Sequence, residues 1–263
     1  MNIFTLSSYF TSKFLMNEDS KQPSTYFNDY GFWKNINLPN HKMYAYINVP
    51  KSPTECVMYL HGHRVNRKEA LNLSELFNKL NPNFMYIIPE YRGFGESDET
   101  FDKNEINDDL LKWLKFIIKK YNVNKFRIAG HSLGAAIASS LFKYLNDQNF
   151  FNNNVKLIRL VLISTFTDTT SVAKSIVQKY SGFNLYFIMK CIIPDNVNYD
   201  LNKIFESTFD KSNIIVIHGK KDDICDFELT HEMCRKFGLN LVSIDSDHVD
   251  VLNNQITYNH VHI

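Results

Sequence analysis

The stretch that decides the fold is Phe126-Arg127-Ile128-Ala129-Gly130-His131-Ser132-Leu133-Gly134-Ala135-Ala136-Ile137-Ala138. It opens as a short apolar run of strand character and closes as a run of small residues that lets a helix lie close to its neighbours. Between the two sits Gly130-His131-Ser132-Leu133-Gly134, a G-x-S-x-G sequence. Strand, sharp turn and helix are the setting a nucleophile elbow needs. Glycines two positions either side of the serine permit the turn that lifts its hydroxyl clear of a sheet. The helix start then points backbone N–H groups at a developing oxyanion. The competing account of Ser132 is a residue that caps an ordinary helix.

Working outward, Val57 to Leu60, Phe84 to Ile88, Leu160 to Ile163 and Ile214 to Ile217 repeat the same short, continuous apolar pattern. Unbroken hydrophobicity means strands covered on both faces, as in a parallel sheet between two helical layers. Between the runs the period becomes helical: Ala70, Leu73, Phe77 and Leu80 mark one helix, and Ile106, Leu110, Trp113, Ile117 and Tyr121 another. The alternation predicts an α/β fold. Lys42 to Val49 reads as an added strand before it, Asn240 to Ile244 as the last strand, and the tail from Val249 as a short helix. One interval breaks the rhythm. From Thr165 to Asn213 the chain is far longer than a simple crossover, so a small helical cap is expected at about 166–212. The domain then spans 41–263, behind an N-terminal segment at 1–40.

Composition bounds the function. The chain has 263 residues, 44% hydrophobic and 22% charged, with a formal net charge of +1. That is enough apolar content for a core, and it excludes a disordered or fibrous protein. A neutral balance without basic clusters gives no electrostatic footprint for nucleic acid. The four cysteines, Cys56, Cys191, Cys225 and Cys234, form no C-x-x-C or zinc-ligand spacing, which fits a reduced, cytoplasmic setting. No run approaches the roughly 18 apolar residues of a membrane span. Ile3, Phe4, Leu6, Phe10, Phe14 and Leu15 can share one helical face, so the N-terminal segment is expected to pack on the protein, with peripheral membrane contact as its alternative.

A serine hydroxyl needs a base, and the base needs a carboxylate to orient it. The strand Ile214 to Ile217 runs into His218-Gly219-Lys220-Lys221-Asp222-Asp223, and the last strand into Ser246-Asp247-His248. Chain order is therefore serine, aspartate, histidine, as on an α/β sheet of this kind. A second oxyanion donor should come from the loop after an early strand, where His61-Gly62-His63 stands. The backbone N–H groups of His63 and Leu133 are the candidate pair, while the side chains of His61, His63 and His131 read as packing groups.

These motifs resemble the α/β-hydrolase superfamily, in its serine aminopeptidase-like, monoacylglycerol-lipase-like and depalmitoylase-like branch. The resemblance rests on His61-Gly62, Pro89-Glu90-Tyr91-Arg92-Gly93-Phe94-Gly95-Glu96-Ser97, Gly130 to Gly134 and His218-Gly219-Lys220-Lys221-Asp222, in family order. It implies an eight-stranded sheet with an antiparallel second strand and a cap after the sixth. It also implies Ser132 as nucleophile, Asp222 rather than Asp223 as acid, and His248 as general base. Arg92 and Ser97 then shape a turn. Asp247 departs from the family, which often has glycine before the catalytic histidine.

The expectation is a monomeric serine hydrolase of an acyl ester or thioester, needing no metal or organic cofactor and acting on a small-molecule or acylated substrate. Phe183, Leu185, Tyr186, Phe187 and Ile188 of the cap are candidate acyl-pocket residues. The alternatives are an aminopeptidase-like enzyme, which would need an acidic group near the site, and a non-catalytic binding protein of the same fold.

Overall fold

Residue parity along each apolar run decides which layer a side chain joins. In the strand Glu55–Leu60, Cys56, Met58 and Leu60 enter one core cluster, while Val57 and Tyr59 enter a second. Leu160 and Leu162 are likewise divided from Val161 and Ile163, and Ile214 and Val216 from Ile215 and Ile217. Each run is therefore a strand buried on both faces, as its continuous hydrophobicity requires. The computed structural model describes residues 32–37, 42–63, 81–95, 97, 101–181, 193–208 and 210–262, together with Glu75, Phe77 and Lys79.

Eight strands form one sheet: β1 (Phe32–Asn37), β2 (Lys42–Asn48), β3 (Glu55–Leu60), β4 (Phe84–Pro89), β5 (Lys125–His131), β6 (Lys156–Ile163), β7 (Ile214–Gly219) and β8 (Asn240–Ile244). Their spatial order is β1-β2-β4-β3-β5-β6-β7-β8. β2 runs antiparallel to both β1 and β4, and every other pair is parallel. The register aligns the strand ends, with Leu60 opposite Gly130, Ile163 opposite Ile217, and Gly219 opposite Ile244. Loops leaving β3, β5, β7 and β8 thus emerge along one edge. β1 has no counterpart among the apolar runs, because Lys34, Asn35 and Asn37 interrupt it.

Among the described residues six helices with defined bounds accompany the sheet: α1 (Lys103–Tyr121), α2 (Leu133–Asp147), α3 (Thr169–Ser181), α4 (Leu201–Glu206), α5 (Phe227–Phe237) and α6 (Gln255–His262). α1 starts where the Asp102 carboxylate accepts from the N–H groups of Asn104 and Glu105, and ends at Asn122 in the left-handed region. Its predicted stripe is buried at Ile106, Leu110, Trp113 and Ile117. α2 buries Ile137, Leu141 and Leu145 completely, each side chain contributing about 1.5–3 kcal/mol. The tail begins as a 3-10 turn (Asp250–Asn253) before α6. Of the predicted helix around Ala70, Leu73, Phe77 and Leu80, only Phe77 falls among the described residues. It is helical and buried, and it packs on Tyr59 and Tyr86.

Between β6 and β7 the chain carries α3, a 3-10 turn (Asp195–Val197) and α4. Its two ends are closed together like a neck. Thr169 N–H donates to the Tyr199 carbonyl (3.0 Å), Leu201 N–H donates to that of Thr167 (2.9 Å), and Asp168 bridges Asp200. Phe183, Leu185, Tyr186, Phe187 and Ile188 lie outside the described residues, as does the N-terminal stretch Ile3 to Leu15. Among the described residues no helix is long and apolar enough to cross a membrane.

Candidate active site

The elbow is built by forced proximity. A Cβ on Gly130 would lie 2.1 Å from the Gly134 carbonyl oxygen, and a Cβ on Gly134 would lie 1.9 Å from that of Leu60. Neither distance is tolerable, so β5, α2 and the end of β3 meet only because both positions lack a side chain. Ser132 itself has φ 55° and ψ −118°, a conformation that costs a non-glycine residue about 1–3 kcal/mol. Its N–H donates to the Ile163 carbonyl (2.9 Å), which ties the turn to β6. Ser132 occupies the N-cap position of α2, yet its side chain makes no capping hydrogen bond. The hydroxyl is thus not engaged as an ordinary helix cap. Leu133 is the first residue of α2, so its N–H stands outside the intrahelical ladder.

The His61-Gly62-His63 loop packs directly on this elbow. A Cβ on Gly62 would be 3.1 Å from His131 Nδ1 and 3.6 Å from Ser132 Cβ. The loop is held from beneath: the Tyr91 hydroxyl donates to the His61 carbonyl (2.9 Å), and the two rings stack at 4.3 Å. Burial draws the His61 imidazole down to about 4, so it is a neutral packing group. Tyr91 opens the turn predicted from Arg92 and Ser97. Arg92 donates to Asp109 of α1 through Nε (3.0 Å) and a terminal nitrogen (2.8 Å), with both side chains buried. Ser97 Oγ donates to the Glu90 carbonyl and accepts from Tyr44 N–H.

Asp222 enters from the turn after β7. Its Oδ1 accepts from the N–H groups of Ile224 (3.0 Å) and Cys225 (2.8 Å), and its Oδ2 accepts from His248 Nδ1 (2.8 Å). His218 Nε2 lies 3.2 Å from the same Oδ2. The Asp222 side chain is 0% exposed. Burial by itself would raise its carboxyl, but His218, His248 and the Cys225 N–H outweigh it and hold the group far below the usual carboxylate range. Asp223 is exposed, and the geometry gives a physical ground for the choice of Asp222 that the family pattern implies.

His248 is buried beside the elbow, its ring 4.9 Å from that of His131. His131 Nε2 donates to the His248 carbonyl (2.9 Å), fastening the loop after β8 to β5. Burial first, then His248, lowers the His131 imidazole to about 4. Asp247 turns away from the site. Its Oδ1 accepts from the N–H groups of Val249 (2.9 Å) and Asp250 (2.7 Å), opening the 3-10 turn, and these bonds lower its carboxyl.

Ser132 meets the pair through Cys225. The Ser132 hydroxyl is near enough to act on the buried thiol, whose sulfur lies within 4.8 Å of ligand-type atoms of Asp222 and His248. No hydrogen bond joins Ser132 Oγ to His248 in this structure, a contact that in free enzymes often tightens only when substrate arrives. Asp222, Cys225 and His248 do not make a convincing cation site, because N–H donors already occupy the carboxylate and burial pushes the thiol far up. Sequence reasoning missed the roles of His218, Cys225 and the His131 N–H. The first two stand within four residues of Asp222, a signal that was available.

Beside Asp222 a cavity of about 340 Å³ opens between α3 and α5. Ser175, Lys220, Ile224 and Phe227 line it together with the carboxylates of Asp222, Asp223, Asp226 and Glu228, so half of its described lining is acidic.

Comparison with known proteins agrees with this architecture. Residues 59–196 match the family described as alpha/beta hydrolase fold. The lysophosphatidylserine lipase ABHD12 of Danio rerio is 23% identical over 206 residues, covering 76% of this chain and 51% of its own. Its counterpart in Bos taurus is 24% identical over 208 residues, covering 77% and 50%. The chain therefore spans about half the length of these curated relatives. The structure of the Pyrococcus furiosus esterase Pf2001 superposes with a TM-score of 0.66 at 16% identity, covering 90% of this chain and 91% of the esterase. Sheet order, elbow and family match lead to one conclusion: this chain belongs to the alpha/beta hydrolase fold family.

Proposed function

We propose that the protein is a serine hydrolase that cleaves an acyl ester or thioester through Ser132, His248 and Asp222. The observation that carries this reading is the buried 2.8 Å bond from His248 Nδ1 to Asp222 Oδ2, set beside an uncapped serine in a strained elbow. With Nδ1–H committed to the carboxylate, His248 presents Nε2 as an acceptor. Ser132 gives its proton to that nitrogen as Oγ attacks the carbonyl, and Asp222 stabilises the imidazolium that results. The N–H groups of His63 and Leu133 receive the oxyanion. His248 then protonates the leaving group, and water attacks the acyl-enzyme with His248 again as base. The likeness to lysophosphatidylserine lipases supports a lipid-derived acyl donor.

A fluorophosphonate probe tests the chemistry: it should label the wild type at Ser132 and leave Ser132→Ala unlabelled. Equal labelling of both would overturn the assignment. A p-nitrophenyl ester series tests the acyl donor, with rates rising beyond acetate expected and a preference for acetate alone counting against a lipid.

The acidic cavity beside Asp222 favours a second reading, an aminopeptidase whose substrate ammonium sits against Asp223 or Asp226. Hydrolysis of alanine p-nitroanilide faster than of its N-acetyl derivative would support this reading over the esterase.

A further inference from the structure

We propose that His218, resting on the serine-hydrolase reading above, is the positioning residue for the triad acid, its Nε2–H anchoring Asp222 to the turn that carries it. Three observations carry this. His218 Nε2 is 2.9 Å from the Cys225 carbonyl oxygen and 3.2 Å from Asp222 Oδ2. Both partners are oxygens that only accept, so Nε2 bears the hydrogen. The better aligned bond goes to the carbonyl, and the carboxylate lies at its side. Nδ1 is buried without a hydrogen-bond partner, and the side chain is 0% exposed. A proton on Nδ1 would be an unsatisfied buried donor, which selects the neutral Nε2–H tautomer.

The consequence is mechanical and electrostatic together. His218 belongs to β7 and packs edge-on to Phe227 at 5.7 Å, so its N–H is fixed to the sheet. Asp222 lies on a turn and is otherwise held by two N–H groups of that same turn and by the His248 imidazole, which must itself stay free to turn over protons. The shared N–H ties the Cys225 carbonyl and Oδ2 to one rigid point. It also takes up part of the carboxylate charge. Without it Asp222 would attract the His248 imidazolium more strongly, and the base would be freed only at higher pH.

Two amides separate this role from space filling. The nitrogen of His218→Gln reaches the Nε2 position, whereas that of His218→Asn reaches only Nδ1. On an ester substrate His218→Gln should keep kcat within about threefold of wild type. His218→Asn should lose roughly tenfold or more in kcat with KM little changed, the worth of a hydrogen bond to an ionised group, and its acid limb should move to higher pH. The groups facing the pair are His131 of β5, Cys225, Asp247, and Lys220, Asp223 and Asp226 at the cavity rim, and both variants leave them in place. Equal losses in both variants, or wild-type kcat and acid limb in His218→Asn, would overturn the proposal. If His218→Asn does not fold, nitrogen-15 NMR of the wild-type imidazole decides: protonated Nε2 with bare Nδ1 supports the role, and the reverse refutes it. Failure of the wild type to react with fluorophosphonate would instead overturn the hydrolase reading.

Discussion

On the proposed serine-hydrolase reading, replacing Asp222 by asparagine should abolish hydrolysis without unfolding the chain, for a reason visible in the hydrogen bonds. Two backbone N–H groups, of Ile224 and Cys225, point at Oδ1 at 3.0 and 2.8 Å. An amide NH2 cannot occupy that position, so the asparagine oxygen must take it and its nitrogen must take the place of Oδ2. That nitrogen then faces His248 Nδ1, which lies 2.8 Å from Oδ2 in the parent. Two donors cannot share the contact. His248 is driven to carry its proton on Nε2, where it can no longer accept from Ser132. A wrong-tautomer histidine of this kind lowers kcat by about 10⁴-fold in a serine triad. Four decades at about 1.4 kcal/mol each correspond to roughly 5.5 kcal/mol of lost transition-state stabilisation. The assay is kcat on a p-nitrophenyl ester alongside the rate of fluorophosphonate labelling, with thermal melting to verify the fold. Asp223→Asn is the control and should stay within a few-fold. A folded Asp222→Asn variant that keeps kcat within tenfold of wild type would refute the assignment of both acid and tautomer.

Three further outcomes follow from packing and charge. Gly134→Ala puts a methyl 1.9 Å from the Leu60 carbonyl, so backbone must move; a loss of about 3 kcal/mol or more is expected in urea unfolding, and a midpoint unchanged from wild type would contradict the close approach. Arg92→Met removes the buried partner of the Asp109 carboxylate and leaves it the partly exposed Lys112 ammonium at 3.3 Å, which should cost about 1.5–3 kcal/mol by the same measurement, with Asp109→Leu added to it recovering much of the loss. His61, His131 and His262 are each drawn by burial from 6.5 to about 4, so the unfolded chain binds more protons between those values. Stability is full above pH 6.5 and falls on acidification through about pH 4, by up to about 1.4 kcal/mol per pH unit for each histidine. Asp222, held low, adds a loss below the ordinary carboxylate range. A melting temperature flat from pH 7 to pH 5 would contradict this.

Much of the framework is legible in local pattern, because a doubly covered strand must be continuously apolar. Ile214 to Ile217 and Leu160 to Ile163 announce themselves that way, and Gly130 to Gly134 announces the turn. β1 does not, since an outer strand carrying Lys34 and Asn35 has no such constraint. At the site, Ser132 is marked by its own neighbours. Asp222 is preferred to Asp223 in the sequence only through its place in a family pattern, and the physical reason, where the backbone turn aims each carboxylate, is not encoded in spacing. The bond from His131 to the His248 carbonyl joins residues 117 positions apart and leaves no trace in either segment.

The neck between β6 and β7 has an evolutionary consequence. Because residues 167–169 are hydrogen-bonded to residues 199–201, the sheet does not register how long the intervening chain is. Closing a flexible loop of twice the length costs only about 0.6 kcal/mol more, comparable to a single surface substitution. Length above the neck is therefore cheap to change in closure entropy, provided that the buried contacts of Ala173, Ile193 and Val197 are kept, while the glycine contacts below it tolerate no added atom. A lineage with this scaffold can change what it admits far more easily than how it reacts, and a grafted loop of foreign sequence is the natural unit in which to engineer it.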